Sequence, residues 1–184
     1  GAPLVLHRKN DATVYQCHAC GSVRESIVLC GTCKGWKLVP LGIGTEEIAR
    51  QAALLFPGYP VAILDKDHAP NDAKARSIAK KFAAEGGILV GTELAFFHLD
   101  PVPYSGLVSV DALFSVPDFH INERIFYLVS RLRELTRTEA VIQTRNIGRQ
   151  LLAWATQGNI IDFYQNEIAE REALLYPPFS IFIT

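Results

Sequence analysis

The feature that most limits the fold is an alternation, from Leu38 onward, between short apolar runs and amphipathic helical segments. The apolar runs are continuous, which is typical of strands covered on both faces of a sheet. Helices between such strands favour parallel pairing. We therefore predict an α/β fold, a parallel sheet with flanking helices, with strands at residues 38–43, 61–65, 88–91, 107–111 and 140–144.

Capping residues and helix breakers define two helices in the first half of this region. Thr45 is placed to cap the first helix, and Pro57-Gly58 ends it. The second helix is predicted at residues 72–85 and stops at Gly86-Gly87. Their apolar stripes contain Ile48, Ala49, Ala52, Leu55 and Phe56 in the first helix, and Ala75, Ile78, Ala79, Phe82 and Ala83 in the second.

Three further helices are predicted in the second half. One begins at Asp118, whose side chain can cap the amides after Pro117, and ends near Thr136. Residues 179–184 are predicted to begin another strand. The apolar residues that mark these helices are Ile125, Phe126, Val129 and Leu132 in the first, Leu151, Leu152 and Trp154 in the second, and Phe163, Tyr164, Ile168 and Leu175 in the third.

The four cysteines form two Cys-x-x-Cys pairs, Cys17 with Cys20 and Cys30 with Cys33. Two residues between ligands let a turn present both thiolates to one tetrahedral Zn²⁺, and four sulfur ligands leave no open coordination position. A redox pair is the alternative, but it needs one such motif that opens a helix. We predict a structural zinc site in a small module of residues 1–37; His18 is a possible competing ligand or an exposed turn residue.

The composition argues against DNA binding through a large net charge and against a membrane role. The chain has 18 Lys and Arg against 19 Asp and Glu, so DNA contacts would have to be local. No apolar run approaches the roughly 18 residues of a membrane span, and no signal peptide is recognisable, so we expect a cytoplasmic protein. Since no methionine is present, we expect a piece of a longer protein.

Two local patterns leave alternatives open. Gly42-Ile43-Gly44-Thr45 is either a phosphate-binding turn or an ordinary tight turn, and acidic residues follow it. Basic residues cluster on two predicted helices, which could contact a DNA backbone or form solvated faces. These basic residues are Lys74, Arg76, Lys80 and Lys81 on one helix, and Arg124, Arg131, Arg133 and Arg137 on the other.

Motifs along nearly the whole chain resemble the primosomal protein N′ (PriA) family of replication-restart helicases. The cysteine module and the closing Tyr-Pro-Pro-Phe stretch are the most specific. The motifs are Cys17-His18-Ala19-Cys20-Gly21, Leu41-Gly42-Ile43-Gly44-Thr45-Glu46, Leu55-Phe56-Pro57-Gly58, Asp65-Lys66-Asp67, Ile88-Leu89-Val90-Gly91-Thr92-Glu93, Pro117-Asp118-Phe119 with Glu123-Arg124, Val141-Ile142-Gln143-Thr144, and Phe163-Tyr164 with Glu167, Arg171 and Tyr176-Pro177-Pro178-Phe179.

The resemblance implies an ATP-driven DNA translocase of helicase superfamily 2 that acts at abandoned forks. Residues 38–178 would form its second RecA-like lobe, beside a zinc-ribbon-like module. ATP and Mg²⁺ would bind only together with a first motor lobe, so this chain alone is expected to lack ATPase activity. Forked or single-stranded DNA and replisome or primosome proteins are the implied partners. Gly91, Thr92, Arg131 and Arg133 are the residues expected at nucleic acid.

The sequence departs from the family pattern in three places. Residues 95–100 replace a Lys-Gly-His-Asp-Phe-like loop, and Arg131 and Arg133 stand without glycines where the family has Gly-Arg-x-Gly-Arg. The family also holds two zinc ions through eight cysteines, whereas four are present here. Three readings follow: a degenerate, nonenzymatic family member that binds DNA or partners, an active helicase that uses Arg131 or Arg133, and a zinc-bearing adaptor without a nucleic-acid role.

Overall fold

The computed structural model describes residues 4–9, 12–17, 23–25, 43–116 and 118–181. The chain divides into two compact units, Gly1–Leu41 and Gly42–Thr184. Most of the predicted strand at residues 38–43 lies outside the described residues. Its last residue, Ile43, is described and belongs to no strand.

The first unit contains a three-stranded antiparallel sheet in the order β1-β2-β3. Strand β1 is Leu4–Lys9, β2 is Ala12–Cys17 and β3 is Val23–Glu25. The register pairs Leu4 with Cys17 and Gln16 with Val23. Threonine, valine and tyrosine in the centre of β2 suit a pleated strand.

Parallel strand pairs and flanking helices form the second unit, so the predicted α/β class is confirmed. Strand β4, Val61–Leu64, pairs with β5, Ile88–Gly91. Strand β6, Val102–Leu107, pairs with β7, Thr136–Ile142. The predicted strands at residues 61–65 and 88–91 are confirmed, and β7 begins four residues earlier than expected.

Six α-helices and a short 3₁₀ helix surround the strands in the described region. Helix α2 has the predicted bounds: Asn71 Oδ1 accepts from the amide of Lys74 at 2.9 Å, and Gly86 ends the helix with φ +71°. The α-helices are α1 at Thr45–Leu55, α2 at Asp72–Glu85, α3 at Val110–Leu113, α4 at Ile121–Leu135, α5 at Gln150–Gln157 and α6 at Ile160–Ala173; the 3₁₀ helix is Glu93–Phe97.

Two helix starts differ from the prediction. Gly44 precedes α1, and the Thr45 hydroxyl forms no cap because it donates to Asp65 instead. Helix α4 begins at Ile121, since Asp118 accepts the amide of His120 in a turn before the helix. Local capping propensity was therefore overridden at Thr45 by a contact distant in sequence.

One predicted strand is wrong, and another is absent from the part of it that the structure describes. The predicted strand at residues 107–111 is instead the end of β6 followed by α3. Pro103 and Gly106 interrupt the apolar pattern of β6, but its parallel pairing with β7 supports the strand despite them. Residues 179–181 form no strand, and residues 182–184 lie outside the described part.

The main core lies between α4, α5 and α6. The predicted buried stripe of α4 is confirmed, and Phe126 stacks on Phe163 with ring centroids 4.5 Å apart. Residues in this cluster are Val110, Ile125, Phe126, Val129, Leu152, Ala155 and Phe163. A smaller cluster joins Leu64, Ala69, Ala75 and Ala95 around β4 and β5. No helix in the described ranges is long and apolar enough to cross a membrane.

Candidate nucleic-acid interface

Asp65 follows β4 directly and organises the carboxyl end of that strand. Its Oδ2 accepts from Thr45 Oγ1 at 2.6 Å, and its Oδ1 accepts from the amide of His68 at 2.9 Å and contacts His68 Nδ1 at 2.8 Å. Burial alone would raise the pKa of Asp65, but these hydrogen bonds outweigh it and hold the pKa below its ordinary value. An ionised Asp65 thus fastens the start of α1 to the end of β4.

Gly91 and Thr92, both predicted at nucleic acid, lie at the carboxyl end of β5 and are exposed. The amide of Thr92 donates to the carbonyl of Leu64 at 3.2 Å. A Cβ at Gly91 would lie 2.9 Å from the Leu64 carbonyl oxygen and 3.1 Å from Ala95 Cβ. Close approach of two strands therefore accounts for this glycine, and nucleic-acid contact stays a prediction.

The residue after this pair, Glu93, connects β5 to α4. Glu93 Oε1 accepts from Arg124 Nη2 at 2.6 Å and from Arg124 Nε at 3.0 Å. Both side chains are partly exposed, so the pair contributes modestly to stability. Its importance is geometric, because it places the Gly91-Thr92 segment against the first turn of α4.

Arg131 and Arg133, the other predicted nucleic-acid residues, contact different parts of the unit. Arg131 Nη1 pairs with Glu134, and its Nη2 donates to the carbonyl of Phe96 at 3.3 Å. Arg133 Nη1 donates to the carbonyl of Ala155 at 3.4 Å, near the end of α5. Arg131 thus lies beside the segment that follows Thr92, whereas Arg133 caps a neighbouring helix.

A second polar arrangement lies where β6 and β7 end. Asp111 Oδ2 accepts from the amide of Arg145 at 2.8 Å, and its Oδ1 accepts from Thr144 Oγ1 at 2.9 Å. The Arg145 amide lowers the pKa of Asp111 most; partial burial opposes it, and the Thr144 hydroxyl and the charges of Arg145 and Arg149 add to the lowering. Ligands of α/β folds bind at such carboxyl ends.

We did not predict this arrangement from the sequence. In the sequence, Asp111 and Thr144 each close a predicted strand, at residues 107–111 and 140–144. Polar residues that close parallel strands meet at one edge, and that signal could have found them.

Arg171 joins motifs that are far apart in sequence. Its Nε donates to Glu167 Oε1 at 3.0 Å, its Nη2 to Glu123 Oε1 at 2.8 Å and its Nη1 to the carbonyl of Pro177 at 3.3 Å. The guanidinium also lies 5.3 Å from the centroid of Phe119. Arg171 and Glu167 are 8% and 3% exposed, so the centre of the network is buried, whereas Glu123 at its edge is partly exposed.

The network borders an open cleft of about 430 Å³ between α4 and α6. Residues of the Pro-Asp-Phe, Glu-Arg and Tyr-Pro-Pro-Phe motifs thus meet at one place. The sequence identified these motifs but not their contacts with one another.

Of the predicted zinc ligands, only Cys17 belongs to the described residues, where it ends β2. Cys20, Cys30 and Cys33 lie outside them, and no group of acidic, histidine or cysteine residues within the described ranges could hold a metal. Strands β2 and β3 pair in an antiparallel sense, and residues 18–22 between them lie outside the described residues. The zinc site therefore stays a prediction that depends on the spacing of the two Cys-x-x-Cys pairs.

Known proteins that are similar to this chain include several replication restart proteins. The chain is 30% identical to the replication restart protein PriA of Treponema pallidum, over 96% of this chain and 28% of that protein. The chain is 34% identical to PriA of Thermotoga maritima, over 96% of this chain and 24% of that protein. It is 30% identical to PriA of Haemophilus influenzae, over 97% of this chain and 25% of that protein. The chain thus spans about a quarter of these relatives. No family model matches it.

Proposed function

Because the chain belongs to the PriA family of replication restart proteins, we propose that it is part of a helicase-like protein that binds DNA. The observation that carries the proposal is similarity over almost the whole chain to one segment of these relatives. The parallel α/β unit that holds Gly91, Thr92 and Arg131 around α4 supports its assignment as a RecA-like second motor lobe. Forked or single-stranded DNA is the proposed substrate class, and replisome or primosome proteins are proposed partners.

The proposed role of this chain does not include ATP hydrolysis. The sequence has no Gly-x-x-x-x-Gly-Lys-Ser/Thr phosphate loop, so ATP and Mg²⁺ would need a first motor lobe. Arg131 and Arg133 donate to protein groups, to Glu134 and Phe96 in one case and Ala155 in the other. Together with the missing glycines around Arg131 and Arg133, these contacts motivate the proposal of a degenerate motor.

An active helicase is the second candidate, and one observation favours it. Arg131 lies beside the segment that follows Gly91-Thr92, on the partly exposed side of α4. Replacing Arg131 and Arg133 by alanine in the full-length protein separates the two functions. Loss of DNA-stimulated ATPase activity would support the active helicase, whereas unchanged activity would exclude these arginines from catalysis.

We also propose that Cys17, Cys20, Cys30 and Cys33 hold one structural Zn²⁺ in a reducing, cytoplasmic setting. Four thiolates in two Cys-x-x-Cys pairs match the ligand set of a closed tetrahedral site. Zinc there would stabilise the first unit and would not activate water. Elemental analysis of freshly purified protein should find about one zinc per chain, and a Cys17→Ser/Cys20→Ser variant should lose it.

Fluorescence anisotropy with labelled forked DNA tests the main proposal. We expect binding that weakens as salt increases, since phosphate contacts release counterions. A chain that binds no DNA at low ionic strength would instead support a zinc-bearing adaptor. A duplex and a single strand of the same sequence serve as matched probes for the preferred DNA structure.

A further inference from the structure

The loop between β7 and α5, residues 143–149, carries two arginines and no acidic residue. Arg145, Arg149 and Ile147 are exposed, and Ile147 retains 90% of its accessible surface. Neither arginine side chain forms a hydrogen bond or an ion pair with the described part of the chain. By contrast, Arg124, Arg131 and Arg171 each pair with a glutamate.

Hydrogen bonds to the end of β6 and to α3 fix the base of this loop. Asp111 accepts the amide of Arg145 and the hydroxyl of Thr144, and Thr144 Oγ1 accepts the amide of Asn146 at 3.1 Å. The amide of Gln143 donates to the carbonyl of Leu107 at 2.9 Å. The base of the loop is therefore held in place before any ligand arrives, which reduces the entropy lost on binding.

The second arginine is held by an aromatic ring. Arg149 Cζ lies 3.8 Å from the ring centroid of Phe114. Stacking occupies a face of the guanidinium and leaves the N–H groups at its edge able to bind an oxyanion. The loop thus presents two guanidinium groups beside an exposed apolar side chain.

We propose that the 143–149 loop binds the phosphate backbone of DNA through Arg145 and Arg149, with Ile147 against a sugar or base. Asp111 is a positioning residue, because it holds the loop and contacts no phosphate. The inference rests on the proposed DNA-binding function and assigns part of it to this loop. Arginine is suited to the site because its planar fork matches phosphate oxygens.

The test uses the purified chain and fluorescein-labelled oligothymidylate in a salt titration. An Arg145→Ala/Arg149→Ala variant should bind about tenfold more weakly at low salt, since two charge-assisted contacts are lost. The slope of log affinity against log salt should become shallower by about 0.7 for each lost phosphate contact. Arg145→Lys/Arg149→Lys keeps both charges, so the salt slope should stay close to that of the unmodified chain, whereas the affinity should fall because lysine lacks the planar fork.

A matched control removes the same charge elsewhere. Lys80→Ala/Lys81→Ala takes two exposed cations from α2 and should have a smaller effect on both affinity and slope. Equal effects of the two double variants would overturn a specific site in the loop. If the unmodified chain binds no DNA probe, the proposed function itself fails; if it binds but the loop variant is unchanged, only this assignment fails.

The Asp111→Asn variant distinguishes a positioning role of Asp111 from a simple effect of its negative charge. The change makes the loop region more positive, so charge alone would strengthen DNA binding, whereas loss of the held conformation should weaken it. Circular dichroism at the same temperature must show that the variant is folded. Tighter binding by a folded Asp111→Asn variant would refute the positioning role.

Polyglutamate distinguishes an acidic protein ligand from DNA. It should compete poorly with the oligonucleotide. Competition that is as strong as that of DNA and is abolished by Arg145→Ala/Arg149→Ala would overturn the assignment in favour of an acidic peptide.

Discussion

Arg171 on α6 donates to Glu123 on α4 at 2.8 Å across a sequence separation of 48 residues. The same guanidinium also reaches Glu167 and the carbonyl of Pro177. A single buried cation thereby fastens α6, and the turn that follows it, to the first part of α4. Since α4 also carries Arg124 and Arg131, this ion pair helps to place the helix that faces the candidate interface.

Breaking that buried network should strongly destabilise the second unit. Arg171→Met removes the cation and leaves the buried Glu167 with the side-chain amide of Asn122 but without its charged partner, so we expect a loss of about 3–5 kcal/mol in the free energy of unfolding. Urea denaturation measures the change. Arg76→Ala, which removes the exposed pair with Asp72, should change stability little. Similar values for both variants would contradict a structural role for Arg171.

Gly91→Ala should destabilise the chain because the new methyl group meets the Leu64 carbonyl and Ala95. We expect a loss of about 1–3 kcal/mol, typical of overpacking. Gly58→Ala is the matched control, since nothing lies within 4 Å of a Cβ there. Thermal unfolding should separate the two variants. If Gly91→Ala has full stability but impaired DNA binding, the glycine serves the ligand and not the strand packing.

Asp65 should make stability depend on pH in the acid range. Its folded-state pKa is lowered, so its stabilising contribution is complete above the unfolded value of about 3.9 and is lost as the pH falls through the lower folded value. Asp65→Asn should therefore lose less stability than the unmodified chain when the pH drops from neutral into this range. Urea midpoints in a pH series measure the difference. Parallel curves for the two proteins would show that Asp65 does not supply this dependence.

Phe126→Ala should leave a cavity against Phe163 in the main core. Because both rings are buried and stacked, we expect a loss of about 3–5 kcal/mol. Exposed Phe97 offers a control on the same residue type, since Phe97→Ala removes little buried surface. Chemical denaturation of both variants checks the prediction, and equal losses would refute the assignment of the core.

Local sequence signals were sufficient for several elements and for the family. Asn71, Asp72 and the pair Gly86-Gly87 bracket α2, and the apolar run of β5 ends at Gly91, so their bounds could be predicted. The family resemblance is also confirmed, because it depended on the order of motifs along the chain. Such features are encoded over short stretches and need no knowledge of distant partners.

Contacts between distant residues account for what the sequence did not reveal. Strand β6 contains Pro103 and Gly106 and is supported by its partner β7, so its apolar pattern was misleading. The buried face of α6 includes Glu167 and Arg171, whereas Tyr164 and Ile168 are exposed. Charged residues can be buried there because Glu123 and Asn122, which are distant in sequence, complete the network. Neither pairing can be read from helical or strand periodicity.

We propose that this segment binds DNA as part of a motor and does not hydrolyse ATP by itself. The most direct measurement titrates the purified chain onto labelled forked DNA, with and without ATP and Mg²⁺, while phosphate release is followed in the same sample. We expect salt-dependent binding of equal affinity with and without ATP and Mg²⁺, and no phosphate release above background. Absence of binding at low salt, or sustained ATP turnover by the chain alone, would contradict it.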